Sequence, residues 1–181
     1  MHNYAIIPPV AGTLLVAHPS LEDPNFARTV VYVIAHGNEG TFGLVLNRPN
    51  VIATPSFDSP LMPWWEIVAA PQMIFDGGPV DLDAVVCLYP DPTQIAGVRS
   101  LDVTWDDPQQ FIGQVRIFQG YSGWSAGQLE NELALEGWFV VPAQPEDVID
   151  PEPELLWHKV LARQDNNLRR LADFPEDPGL N

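Results

Sequence analysis

Apolar and polar positions change their spacing along this chain. In the first half the apolar residues come in short, β-branched runs. Gly12-Thr13-Leu14-Leu15-Val16-Ala17 predicts a first strand, and Pro19 to Asn25 a turn region. Thr29 to Ala35 reads Thr-Val-Val-Tyr-Val-Ile-Ala, the composition of a central strand. Thr41 to Leu46 predicts the return strand of a hairpin, with His36-Gly37-Asn38-Glu39-Gly40 as a longer loop and Asn47-Arg48-Pro49 as the stop. Leu61 to Ala70 reads as a short helix. Met73-Ile74-Phe75 and Ala84 to Tyr89 are further strands, the first ending in Asp76-Gly77-Gly78-Pro79-Val80. Turns follow at Pro90-Asp91-Pro92 and Asp106-Asp107-Pro108.

Helical spacing enters later. After a strand at Gln114–Phe118, Gly120-Tyr121-Ser122-Gly123-Trp124-Ser125 reads as a turn into a helix. Ser125 is the expected N-cap, with Gln128 three residues on completing a capping box, and Trp124 and Leu129 forming a hydrophobic staple. Ala126, Leu129 and Leu133 mark the inner face, with Glu130, Asn131 and Glu132 pointing elsewhere. Gly137 is the expected left-handed residue after the helix. Trp138–Val141 is the next strand, ended by Pro142. Helices are predicted over Glu152–Arg163 and Asp165–Ala172, with Arg169 and Arg170 near the end of the second, where a helix dipole favours cations. Strands first and helices late predict an α+β fold.

Composition narrows the classes of function. A chain of 181 residues with 46% hydrophobic content reads as one packed domain. Its formal net charge is −16, from 24 acids against eight bases. Between Arg116 and Lys159 there are acids but no Lys or Arg. Non-specific nucleic-acid affinity comes from phosphate neutralisation, so direct DNA or RNA binding is disfavoured. No apolar run approaches a membrane span and no basic leader precedes the short Ala5-Ile6-Ile7 run, so the cytoplasm is the expected compartment.

Candidate chemistry is sparse. Gly123-Trp124-Ser125-Ala126-Gly127 matches the Gly-x-Ser-x-Gly nucleophile elbow, and Asp147 or Asp150 followed by His158 would complete a serine hydrolase order. Against this, an elbow serine sits directly at a strand end, whereas Gly120-Tyr121-Ser122-Gly123 intervenes between Phe118 and Ser125, and the capping role already accounts for Ser125. No catalytic residue is assigned. His2, His18, His36 and His158 show no ligand spacing, so no metal and no cofactor are expected. Cys87 lies in an apolar run and reads as a buried, inert thiol. Gly77 and Gly78 permit a close backbone approach, serving either a tight strand exit, the favoured reading, or a ligand nest.

Taken together, several motifs are specific. Gly12-x-Leu14-Leu15-Val16-Ala17-x-Pro19 is followed by Asp23-Pro24-x-Phe26-x-Arg28-x-Val30-Val31. His36 and Gly43-Leu44-Val45-Leu46-Asn47-Arg48-Pro49 come next, then Gly77-Gly78-Pro79-Val80. Gly120-Tyr121 precedes Trp124-x-x-Gly127-Gln128-Leu129-Glu130-x-Glu132-Leu133, and the chain ends Pro175-x-Asp177-Pro178-x-Leu180-Asn181. In this order they resemble the AlgH/YqgE family of bacterial proteins. The resemblance implies a single domain over residues 1–181 with a bifurcated, barrel-like mixed β-sheet flanked by helices. It brings no agreed activity or catalytic set. The family's label of transcriptional regulator implies, at −16, action through a protein partner or small ligand. The expected function is a cytosolic, non-enzymatic binding or regulatory module. The alternatives are a hydrolase using Ser125 and a nucleic-acid-binding regulator. Asn47, Arg48, Gly77, Gly78, Tyr121, Gly123 and Trp124 are the candidate binding residues, the last three if the Trp124 indole is exposed.

Overall fold

The central strands are apolar on both faces, and that property organises the molecule. The structure, a computed structural model, describes residues 7–165 and 167–175. Among them the strands are β1 (Thr13–Ala17), β2 (Val30–Gly37), β3 (Gly40–Val45), β4 (Pro49–Asn50), β5 (Ile74–Asp76), β6 (Val80–Pro90), β7 (Val98–Leu101), β8 (Arg116–Ser125) and β9 (Trp138–Pro142). The helices are α1 (Met62–Trp65), α2 (Gln128–Ala134), α3 (Leu156–Ala162) and α4 (Asn167–Leu171). The resembling terminal motif beyond Pro175, together with Ala5, Ile6 and His2, lies outside the described residues.

The sheet runs in the order β4-β5-β8-β3-β2-β1-β9, with β6 branching from β8 and carrying β7. The branch point is β8. Its first half lies between β5, parallel, and β6, antiparallel. Its second half, from Ser122 to Ser125, pairs instead with β3. One long strand thus belongs to two sheets, giving the mixed, bifurcated half-barrel of a single α+β domain.

Side-chain alternation assigns each face its own core. Leu14, Val16, Val30, Tyr32 and Leu44 point to one side, where Leu156, Trp157, Val160 and Leu161 of α3 cover them. Leu15, Ala17, Val31, Val33 and Val45 point to the other, against Trp124, Leu129 and Trp138. A strand buried on both faces needs a continuous apolar run, which explains the sequences of β1 and β2. Each fully buried Leu or Val contributes about 1.5–3 kcal/mol. A third cluster, with Trp64, Ile74, Cys87 and Ile117, fills the space beneath α1.

Several predicted boundaries move. The hairpin loop is tighter than expected, because Gly37 already pairs with Gly40 and only Asn38 and Glu39 turn. Gly40 is required there: at φ +127, an added Cβ would lie 2.2 Å from the Trp124 carbonyl oxygen. The helix expected over residues 61–70 is a single turn. Beyond it the chain is held flat by Ala69 N–H donating to Val115 C=O and Val115 N–H donating to Ile67 C=O. β6 starts at Val80 rather than Ala84, and β7 was not expected. Pro153–Leu155 forms a 3-10 turn before α3 begins.

Candidate functional site

The segment Gly120–Gly127 is strand where a turn was expected. β8 continues to Ser125, with Ser122 opposite Gly43, Gly123 opposite Phe42 and Trp124 opposite Thr41. Gly120 permits this by adopting φ +68 at the fork, so the chain kinks without ending the strand. The N-cap of α2 is Gly127, at φ +75, with no side chain to bond. Ser125 is therefore not the cap. Only the return half of the expected box exists, as Gln128 Oε1 accepts the Ser125 backbone N–H at 3.0 Å. The Ser125 hydroxyl donates to the same oxygen at 3.3 Å.

The staple residues do meet, since Trp124 and Leu129 share one buried cluster. Trp124 is only 4% exposed. Its indole N–H donates to Glu132 Oε2 at 2.9 Å, and the Trp138 indole donates to the same oxygen at 2.8 Å. Glu132 thus turns inward, contrary to its expected outward position, because it supplies the acceptor that both buried indoles need. Phe26 packs on both rings, with centroids 5.8 and 5.5 Å away. The helix ends in a Schellman pair: Glu136 N–H donates to Leu133 C=O and Gly137 N–H to Glu132 C=O. The left-handed residue is Glu136, at φ +57, not Gly137. Gly137 is already leading into β9, and its carbonyl accepts from His18 N–H.

The paired glycines sit at the same fork. A Cβ on Gly77 would lie 2.4 Å from the Gly120 carbonyl oxygen, and one on Gly78 would lie 2.2 Å from that of Tyr121. The Gly77 carbonyl accepts from Val45 N–H and from the Ser122 hydroxyl. Gly77 and Gly78 therefore make the close approach that lets three strands meet. Tyr121 stacks at 4.6 Å on Phe42, and Gly123 is exposed beside it.

The hydrolase partners are held in separate places. Asp147 takes a bidentate pair from Arg163, both contacts at 2.6 Å. Asp150 accepts from Lys159 at 2.9 Å. His158 donates from Nδ1 to the Ala172 carbonyl, on the α3–α4 side of the molecule, while Ser125 lies beside Gly40 and Gln128.

Asn47 and Arg48 lead to a different part of the surface. Asn47 is buried and works as a piece of backbone: Oδ1 accepts from Val30 N–H and Nδ2 donates to Arg28 C=O, both at 2.9 Å. Next to it opens a cleft of about 700 Å³ lined by Pro19, Leu21, Arg28, Arg48, Trp157 and His158, with Glu22 and Glu154 among its other walls. Arg28 has φ +54, unusual for a residue with a Cβ. Its guanidinium lies 4.5 Å over the Trp157 ring and donates from Nη2 to the Phe174 and Pro175 carbonyls. Its Nη1 is buried without a hydrogen-bond partner. Arg48 donates from Nη2 to Ala27 C=O at 2.6 Å, and burial pulls its pKa below the ordinary arginine value. It remains a cation at neutral pH.

Among the described residues neither Arg28 nor Arg48 has a carboxylate within 4.0 Å, whereas Lys159, Arg163 and Arg99 each do. Sequence reasoning selected Arg48 but not Arg28 or Trp157, and considered His158 only as a triad member and among the possible metal ligands. Arg28 stands inside the quoted Asp23–Val31 motif, which was the available signal.

A family profile described as AlgH-like (DUF179) matches residues 14–169. The chain belongs to the AlgH-like family. Among AlgH-like relatives, the UPF0301 protein of Thermobifida fusca is 44% identical over 192 residues, covering 95% of this chain and 96% of its own. That of Streptomyces avermitilis is 40% identical over 187 residues, with 95% of each chain covered. Two solved structures share the AlgH-like fold. Protein DIP2367 of Corynebacterium diphtheriae superposes with a TM-score of 0.84 at 28% identity, covering 94% of this chain and 95% of that one. The solution structure of AlgH from Pseudomonas aeruginosa gives 0.64 at 28% identity, covering 96% and 98%. Among the described residues no helix is long and apolar enough to cross a membrane.

Proposed function

We propose that this protein is a cytosolic, non-enzymatic binding or regulatory module that acts through a small ligand or a protein partner, with the Arg28–Arg48 cleft as its ligand seat. The observation that carries this reading is the state of the two guanidiniums. In a chain with three acids for every base, they face one cleft, and among the described residues neither has a carboxylate within 4.0 Å. The remaining candidates fit a supporting role. Trp124 binds Glu132, Gly77 and Gly78 close the fork, and Ser125 serves Gln128. Direct phosphate-backbone binding fits poorly with −16.

The test is capture of tagged wild type and Arg48→Gln from cells at physiological salt, with small molecules in both denatured eluates analysed. The reading expects a compound retained by wild type and lost from the variant. Identical eluates would refute it, and turnover of the retained compound by purified protein would replace it with an enzyme.

A further inference from the structure

We infer that the Arg28–Arg48 cleft binds a compact oxyanion, a carboxylate or phosphate group of a small molecule, with the Arg48 guanidinium as principal donor. The inference rests on the binding role proposed for this cleft and adds the chemistry of its ligand.

A guanidinium carries five N–H donors in a planar fork that matches carboxylate and phosphate oxygens. Arg48 uses Nη2 on the Ala27 carbonyl, which holds the fork in place. Neither its Nε nor its Nη1 is among the buried atoms that lack a partner. Arg48 lines the cleft, and among the described residues its one hydrogen bond is the Nη2 bond to Ala27, so the half-buried guanidinium keeps donor capacity there, where partial desolvation strengthens a charge-assisted bond. The mount is rigid. Asn47 is locked between the Arg28 carbonyl and the Val30 N–H, and Pro49 enters β4 immediately after.

One further group points the same way. Arg28 adds a second positive charge, fixed on Trp157 and the Phe174 and Pro175 carbonyls, with Nη1 buried and unpaired. His158 also lines the cleft, with Nδ1 held by the Ala172 carbonyl. Glu22 and Glu154, both exposed, line the cleft too. They disfavour an extended polyanion and leave room for a single compact anion. Pro19 and Leu21 offer apolar surface for the body of the ligand.

The experiment is a heteronuclear NMR titration of the full ¹⁵N-labelled chain with inorganic phosphate, and separately with citrate, at constant ionic strength. Saturable shifts are expected at Ala27, Arg48, Trp157 and His158, with a Kd on the order of 1 mM for such minimal probes. Arg48→Gln is expected to weaken binding about tenfold or more, and Arg99→Gln, on the β7 side, to leave it unchanged. Should Arg48→Gln not fold, Arg48→Lys decides, since it keeps the charge but loses the fork and must still weaken binding. The tighter probe tells whether phosphate or carboxylate is the preferred group. Shifts that do not saturate, shifts centred on Arg169 and Arg170, or binding that survives at Arg48→Gln would each overturn the inference. If the captured compound is neutral or cationic while both anions fail, the oxyanion is wrong and the binding module stands. If nothing occupies the cleft, both fail.

Discussion

The Trp124 end of β8 and the Arg28–Arg48 cleft both carry hydrogen-bonding side chains, yet they use them differently. Around Trp124 every donor has been given an internal acceptor. Two indoles share Glu132, Gln128 donates to the same carboxylate, and Ser122 donates to Gly77. The cleft is different. Arg48 has one carbonyl partner, and Arg28 leaves a buried Nη1 unpaired. A buried donor with no acceptor costs about 1–3 kcal/mol, and among the described residues the other such atom, Arg116 Nε, lies in the core. The difference teaches that the first region is closed on itself, whereas the second is the one on which the proposed ligand seat rests.

The sharpest way to break that contrast is to remove the Trp124 indole. It is buried against Phe26, Trp138 and Leu129, so Trp124→Ala is expected to cost about 3–5 kcal/mol by chemical denaturation. An unchanged midpoint would mean that the ring is free for a partner. Next in size is Gly120→Ala. The residue sits at φ +68, and its new Cβ would lie 2.5 Å from the Gly78 carbonyl oxygen. A loss of about 1–3 kcal/mol is expected from overpacking, read from the same denaturation curves. A neutral outcome would detach the glycine pair from the fork.

Cys87 tests whether the core is sealed beneath β6. Burial, reinforced by the Asp106 carboxylate, pushes its thiol up to about 12. An unfolded cysteine ionises near about 8.5. The native state then keeps a proton that the unfolded state loses, so this contribution is full below about 8.5 and declines as pH rises toward 12. Wild type should lose stability relative to Cys87→Ala by on the order of 1 kcal/mol per pH unit above about 9. A constant gap between the two proteins across that range would contradict burial of the thiol. Smallest is Ser125→Ala. Without a capping bond to lose, it should stay within about 0.5 kcal/mol of wild type, below the ~1 kcal/mol of a true cap.

Ser125 also illustrates what was legible from sequence. Local patterns read well where one interaction dominates. The double-faced apolar runs of β1 and β2, the Trp124–Leu129 contact and the glycine-mediated close approach were all visible. The reading failed where a distant strand decided the outcome. Gly120 and Gly123 look like a turn, but β3 pairs with the segment and keeps it extended. Gly127 then caps α2, and Ser125 is left at the strand end. Gly137 is the natural left-handed residue, yet the bond from His18 to its carbonyl sets its place at the start of β9, and Glu136 takes the strained position. The cleft was legible only at Asn47 and Arg48. Arg28 and Trp157 are 129 positions apart in sequence, and their stacking depends on how α3 crosses β1.

The account stands most directly on a paired denaturation of Arg48→Gln and Trp124→Ala. Arg48 gives the fold one bond, to Ala27, so its substitution should cost no more than about 0.5–1.5 kcal/mol. Trp124→Ala should cost several-fold more. If Arg48→Gln instead destabilises as much as Trp124→Ala, the Arg48 guanidinium is a structural strut and the contrast between the two regions is lost.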